Sequence, residues 1–323
     1  MSILSVLTPI NLFEEKKKFF ADPEYNPQFI YEENIPQDDL TSYGVPSSKY
    51  IKLAKKIVDT AFENQTESEL IEQRGRELNQ EEVTKKIKLF LKMHGLEKKI
   101  GIIWSSSFVA RTSITSTTIK LRLPVKFREE DLLGMLYHEV GTHAVRRVNY
   151  EQQPWFRKKK KHGFKGYLKT EEGLAILHAL IPLTNKLAYS SALRYLAVAK
   201  SQELSFTKTY QFLSQYIKDP DRCWTATFRQ KRGLEDSSKG GGYTKDLVYF
   251  EGMVDVWNYL NQNDFDINDV YFGKMSFQDV EKALELNPEF KPVLPSFYIT
   301  NKNKYKEEMK KIGQVNMLDQ FHS

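Results

Sequence analysis

The stretch LLGMLYHEVGTHAVRRVNYE, residues 132–151, decides how this chain is read. Its centre is His138-Glu139-Val140-Gly141-Thr142-His143, one residue longer than the zinc-protease pattern H-E-x-x-H. In that pattern the histidines stand four apart, about 40° from each other around a helix, so both reach one metal. Five apart, they stand about 140° from each other on a regular α-helix, and the site cannot close. Either the helix ends between them, or it contains a π turn, the wide turn with i→i+5 hydrogen bonds. A π turn of about 4.4 residues brings the two imidazoles back to within about 50°. Gly141 lies between them and tolerates such a distortion. The expectation is a wide turn at 139–143. The plainer alternative is two satisfied helix histidines flanking a surface glutamate.

The context favours a helix that carries chemistry. Glu129, Glu130 and Asp131 supply the acidic start that a helix N-terminus prefers, and LLGMLY leads in as an apolar stripe. A catalytic zinc site wants three protein ligands and one open position. The next helical segment opens Thr170-Glu171-Glu172-Gly173-Leu174-Ala175, with Thr170 as its N-cap and both glutamates in its first turn. Gly173 and Ala175 are small enough to let it approach the His138 helix. Periodicity does not choose between Glu171 and Glu172. Neutral His138 and His143 plus one carboxylate would hold Zn²⁺, which lowers the pKa of water toward ~7 and polarises a carbonyl. Glu139, beside a ligand without being one, would take the water's proton and pass it to a leaving amine.

Outward from this stretch the chain reads as α+β, mostly α-helical. Residues 1–46 hold Pro9, Pro23, Pro27, Pro36 and Pro46 and look like an extended N-terminal arm. Residues 47–323 read as a single domain. Ser47 and Asn79 start helices, and β-branched runs at 100–104, 108–114 and 117–124 read as two or three strands. A small sheet therefore precedes the His138 helix. From about 128 onward the pattern is helical: 128–148, 170–181, 189–203, 206–217, 220–232, 244–262, 276–286 and 303–318. A basic loop, 149–168, and a flexible connector, EDSSKGGG at 235–242, interrupt it.

Composition excludes several classes. The chain has 323 residues, one cysteine and a net charge of +6. A lone thiol fits a reducing compartment, and the N-terminus lacks the basic start of a signal peptide, so a cytoplasmic protein is expected. No window is apolar enough for a membrane span. The positive balance favours acidic partners, and it concentrates in Arg157-Lys158-Lys159-Lys160-Lys161. That run reads as a solvated loop, a nuclear signal or a cradle for an acidic substrate. Asp264 to Asp269 opens like a calcium loop, but Asp269 and Met275 stand where it needs glycine and glutamate.

HEVGTH followed by TEEGLA resembles the microtubule-associated tyrosine carboxypeptidase family and the bacterial proteins named for a QEGLA motif. ARTSI…TIKL, VNYEQQP and FRQKRGL…GGGYTKDLVYFEG extend the resemblance over about 46–310. It implies a zincin-like core with one Zn²⁺, His138, His143 and Glu172 as ligands and Glu139 as base. The implied reaction is removal of a C-terminal tyrosine from a protein tail, an acidic one in the tubulin-directed members. EEGLA in place of QEGLA leaves the branch open. A carboxypeptidase also needs groups for the terminal carboxylate. RQKRG offers Arg229 and Arg232 on one helical face and YTKDLVY offers Lys245 and Tyr249; Arg232, Lys245 and Tyr249 are the ones expected, with Arg111 and Arg122 on the strands in reserve. A monomer is expected, acting on a peptide or protein tail and not on nucleic acid or membranes. Two rivals stand beside this reading. One is a zinc hydrolase of another amide or ester; the other is a regulatory protein with a structural metal, which would have no use for Glu139.

Overall fold

The structure is a computed structural model and describes residues 6–108 and 110–321. The chain forms two units, Met1–Glu69 with Ala188–Phe250, and Leu70–Leu187 with Glu251–Ser323. The chain is mostly helical with small sheets, in keeping with the α+β expectation.

The second unit carries HEVGTH. It opens with strand β1 (Glu77–Leu78), paired antiparallel with β5 (Phe127–Arg128). Asn79 then caps the helix Gln80–Met93 in a capping box, its side chain accepting from the Glu82 N–H while Glu82 returns the bond. Strands β2 (Gly101–Ser105), β3 (Thr112–Ile114) and β4 (Thr118–Arg122) form a sheet in the order β2-β4-β3. β3 and β4 make an antiparallel hairpin, so β2 pairs with β4 on its other side, in parallel. The expected strands are all there; the two-residue β1 and β5 are too short to carry a pattern.

Val83 and Ile87 from the helix, Ile119 and Leu121 from β4, and Leu132, Leu136 and Val140 from the HEVGTH segment share one core. Val83, Ile87, Ile119, Leu121 and Val140 have 0% exposure. Each such side chain contributes about 2 kcal/mol by leaving water. The HEVGTH helix is therefore fixed by its apolar stripe before any metal is considered.

Two expectations about the following helix need correction. It runs Leu168–Leu180, starting two residues early, and Thr170 does not cap it. Instead the Thr170 hydroxyl accepts from the Phe277 N–H at 3.1 Å. Gly173 does not admit the HEVGTH helix either. A Cβ there would stand 2.1 Å from the Gly252 carbonyl, and one on Gly252 would stand 2.2 Å from the Lys169 carbonyl. The two glycines let the helices Leu168–Leu180 and Leu247–Gln262 touch backbone to backbone. Gly134 serves the HEVGTH side, where a Cβ would meet the Ala179 carbonyl at 2.7 Å.

In the first unit, the residues expected as an extended arm include helices Leu12–Ala21 and Gln37–Thr41. Phe19 of the former packs with Phe29, Phe206, Trp224 and Phe228 in an aromatic cluster. Its buried Glu15 is held by Lys18 at 2.6 Å and by the Tyr25 hydroxyl and Gln28 N–H at 2.7 Å. The connector 235–242, expected to be flexible, is packed. Buried Ser237 donates to the Pro27 carbonyl at 2.7 Å, and buried Lys231 donates to the Ser201 and Lys239 carbonyls at 2.8 Å. Gly242 has φ 126° and lies where a Cβ would be 2.0 Å from the Gln230 carbonyl, so only glycine fits. Composition suggested freedom; these contacts remove it. Cys223 is buried in this unit, and burial pushes its thiol up to about 12. Among the described residues no helix is long and apolar enough to cross a membrane.

Candidate metal centre

The turn through HEVGTH is wide: Tyr137–Ala144 is π-helical, between α-helical Glu129–Leu136 and Val145–Glu151. Surrounding side chains hold it. The Thr142 hydroxyl donates to the Tyr137 carbonyl at 2.9 Å, and the Tyr271 hydroxyl donates to the Gly141 carbonyl at 2.8 Å. Because Thr142 donates there, it accepts from His178 Nδ1 at 2.8 Å. His178 Nε2 then accepts from the Tyr305 hydroxyl at 2.9 Å. The chain of bonds requires a neutral His178, and burial lowers that imidazole to about 3. Gly141 is needed for space rather than for backbone freedom. A Cβ would stand 2.5 Å from the Phe297 ring, which stacks on Tyr137 with centroids 4.1 Å apart.

The wide turn brings the histidines together. Their Nε2 atoms are 3.2 Å apart and the rings lie at 88°. Glu172 Oε2 is 3.8 Å from His138 Nε2 and 3.6 Å from His143 Nε2. Among the described residues, His138, His143 and Glu172 form a group whose ligand atoms lie within 4.8 Å of one another. All three are partly buried, at 13–19% side-chain exposure.

The structure separates the two glutamates that periodicity left equivalent. Glu171 takes the far side of His143, with Oε1 2.7 Å from Nδ1. It also bonds Lys274 Nζ at 2.7 Å and the buried Arg146 guanidinium. Arg146 is itself fixed by the Val270 and Met275 carbonyls at 2.9 Å. With its oxygens so committed, Glu171 orients His143, while Glu172 keeps its carboxylate toward the Nε2 pair. This is the usual arrangement of a carboxylate behind a metal-binding imidazole. His138 has its own orienting bond, to the Ala175 carbonyl.

Charge follows the same geometry. Burial, then repulsion from His143, lowers His138 to about 4. On His143 burial is outweighed by Glu171 and Glu172, which push it up to about 10. Burial would raise Glu171, but Arg146, then Lys274, hold it well below the usual range. Glu139, adjacent on the same turn, is raised by burial. The set of two imidazoles, one carboxylate and a neighbouring glutamate fits a catalytic zinc site better than a structural one, which takes four protein ligands.

Lys274 and Arg146 were not singled out in the sequence. Arg146 stands one turn after His143, where a partner for a buried glutamate could have been sought. Lys274 lies 103 positions from Glu171, and no spacing rule reaches it. Lys159 of the basic run is no solvated charge. Its Nζ lies 4.5 Å from the Tyr150 ring centroid and 3.4 Å from that of Tyr167, and burial lowers it to about 7. The rest of the run, apart from this lysine, is exposed.

Arg232, Lys245 and Tyr249 belong to the other unit. Arg232 ends the helix Pro220–Lys231, its guanidinium 5.4 Å from the Phe228 ring centroid and its buried Nε without a hydrogen-bond partner. Lys245 lies on the short 3-10 turn Thr244–Asp246. Tyr249 bonds Arg229, which grips Asp246 through two bonds of 2.6 Å. Arg194, in the helix Tyr189–Glu203, adds a second guanidinium near Asp246.

A family model described as microtubule-associated tyrosine carboxypeptidase matches residues 32–313. A mouse protein named putative tyrosine carboxypeptidase MATCAP2 is 31% identical over 327 residues, covering 98% of this chain and 62% of its own length. Rat microtubule-associated tyrosine carboxypeptidase 1 is 29% identical over 98% of this chain and 69% of its own length. The human protein of that name is 28% identical over the same shares. The chain thus spans less than two thirds of the mouse relative.

Proposed function

The chain belongs to the microtubule-associated tyrosine carboxypeptidase family, and from that premise we propose that it is a zinc metallopeptidase that removes a C-terminal tyrosine from an acidic protein tail. The observation that carries this reading is the convergence of His138, His143 and Glu172, with Glu139 on the same turn. We read the surrounding core as zincin-like and the protein as a cytoplasmic monomer with one zinc ion.

When bound by these three residues, zinc polarises the scissile carbonyl and lowers the pKa of a water toward ~7. Glu139 accepts the water's proton on its carboxylate and delivers it to the departing amine. Glu171 keeps His143 Nδ1 engaged, so Nε2 faces the metal position. Arg232, Lys245 and Tyr249 are the groups proposed to receive the terminal carboxylate. The net charge of +6 suits an acidic tail.

The test is mass spectrometry of C-terminal peptide libraries, including tails ending in Glu-Tyr, incubated with the zinc-loaded protein. Release of free tyrosine is expected. Glu139→Gln should keep one zinc by elemental analysis and lose turnover roughly a thousandfold. Unimpaired turnover in that variant, or no C-terminal release from any tail, overturns the proposal.

A further inference from the structure

The second unit has another feature that the metal centre does not use: an open strand edge beside a basic helix. β2 ends the sheet order β2-β4-β3. Its Gly101 N–H donates to the Thr117 carbonyl at 2.8 Å, and its Ser105 carbonyl accepts from Leu123 at 3.1 Å. In a parallel ladder alternate residues bond the same neighbour. Gly101, Ile103 and Ser105 therefore serve β4, and Ile102 and Trp104 turn their N–H and C=O groups to the open side. β3, at the opposite edge, is the strand that packs against the π turn, so this edge is separate from the metal centre.

The open edge is not flat surface. A groove of about 600 Å³ runs between β2 and the helix Gln80–Met93, lined by Thr84, Lys88, Leu91, Lys92, Ile102 and Trp104 among others. Trp104 Nε1 donates to the Thr84 hydroxyl at 3.3 Å and braces strand against helix. Leu91 and Ile100 are buried beneath it. Its helix side is basic: Lys88 and Lys92 line it, and Lys85 lines the adjoining hollow that shares Lys88. Lys85, Lys88 and Lys92 follow one helix face at spacings of three and four. All are exposed, and none forms an ion pair among the described residues. Glu81 and Glu97 are the acidic groups nearby, one fewer than the lysines.

We propose that this groove binds an extended acidic peptide segment, added as a further strand on β2 and held by Lys85, Lys88 and Lys92. Two residues of the segment would exchange hydrogen bonds with Ile102 and Trp104. Its side chains on the helix side would be the acidic ones and meet the lysines, and the alternate ones, on the other face of the sheet, would lie beside exposed Ile103. Main-chain bonds supply affinity and the alternate side chains supply selectivity. A second copy of this chain is a poorer occupant, because it would bring its own lysine wall against the first. The proposal goes beyond the peptidase reading and does not depend on it.

The probe is a fluorescein-labelled peptide of alternating Glu and Val, blocked at both ends so that no free carboxylate engages the metal centre. Anisotropy should show binding that weakens with salt, and hydrogen exchange should slow at the Ile102 and Trp104 amides. K88E/K92E is expected to weaken binding roughly tenfold. K304E/K310E carries the same charge change on another exposed helix and should stay within about twofold. N-methylation of alternate peptide residues should abolish binding, since it removes the strand donors. Binding without protection of Ile102 and Trp104, or an equal loss in both charge-reversed pairs, overturns the proposal. So does a sedimenting dimer that the peptide dissociates.

Discussion

At the scale of single residues, the pair Glu171-Glu172 carries two different tasks on adjacent positions. Glu172 faces the histidine Nε2 atoms; Glu171 binds His143 Nδ1, Arg146 and Lys274. Glu172→Gln should abolish zinc binding. Glu171→Gln should lower zinc affinity by about 10–100-fold without removing it. It should also destabilise the protein by about 3 kcal/mol, because Arg146 and Lys274 are left facing a neutral amide. Competition with a chelator and denaturant unfolding measure the two effects; equal zinc loss in both variants would refute the division. TEEGLA showed where to look, but adjacent glutamates look alike in a sequence. Their partners come from Arg146, one helical turn past His143, and from Lys274, far along the chain.

At the scale of elements, the extra residue in HEVGTH needed a wide turn, and Tyr137–Ala144 is π-helical. That much was legible because a regular helix sets histidines five apart on different faces, which left a helix end or a π turn if both were to reach one metal. What holds the turn was not legible: hydroxyls from Thr142 and Tyr271, and the Phe297 ring above Gly141. The Gly173–Gly252 contact was misassigned for a related reason, since a small residue signals close approach without naming the neighbour. Gly141→Ala should cost about 2 kcal/mol by overpacking against Phe297, and Phe297→Leu should recover part of it. Gly173→Ala meets the Gly252–Met253 backbone, which cannot swing aside as a ring can, and should cost about 3 kcal/mol or more while loosening zinc. Gly166→Ala, with open space around it, is the neutral comparison. Thermal melts with and without zinc check the order; a Gly173→Ala protein as stable as Gly166→Ala would contradict it.

At the scale of the whole molecule, the helices and strands after residue 46 mostly followed from periodicity, whereas the helices Leu12–Ala21 and Gln37–Thr41 and the packing of 6–46 and 235–242 did not. Proline and glycine content predicted extended or flexible chain. The buried Glu15 and Lys231 and the Gly242 backbone contact instead tie these segments down. Acid stability belongs to this scale. Burial would raise Asp246, but Arg229, then Arg194, hold it down at about 2. Its folded pKa lies below the unfolded value, so its contribution is full above about pH 4 and is lost as pH falls toward 2. The loss is on the order of 2 kcal/mol. Asp246→Asn should be less stable at neutral pH and show a flatter acid limb in urea melts at several pH values; a limb as steep as the parent's would exclude this role. The single thiol has a practical corollary. Cys223 is buried and about 12 in pKa, so maleimide reagents and mild oxidants find nothing to attack on the native protein. A cysteine introduced at Lys88 or Lys92 would then be the one labelled position. A dye placed there would report from the rim of the β2 groove without any background substitution.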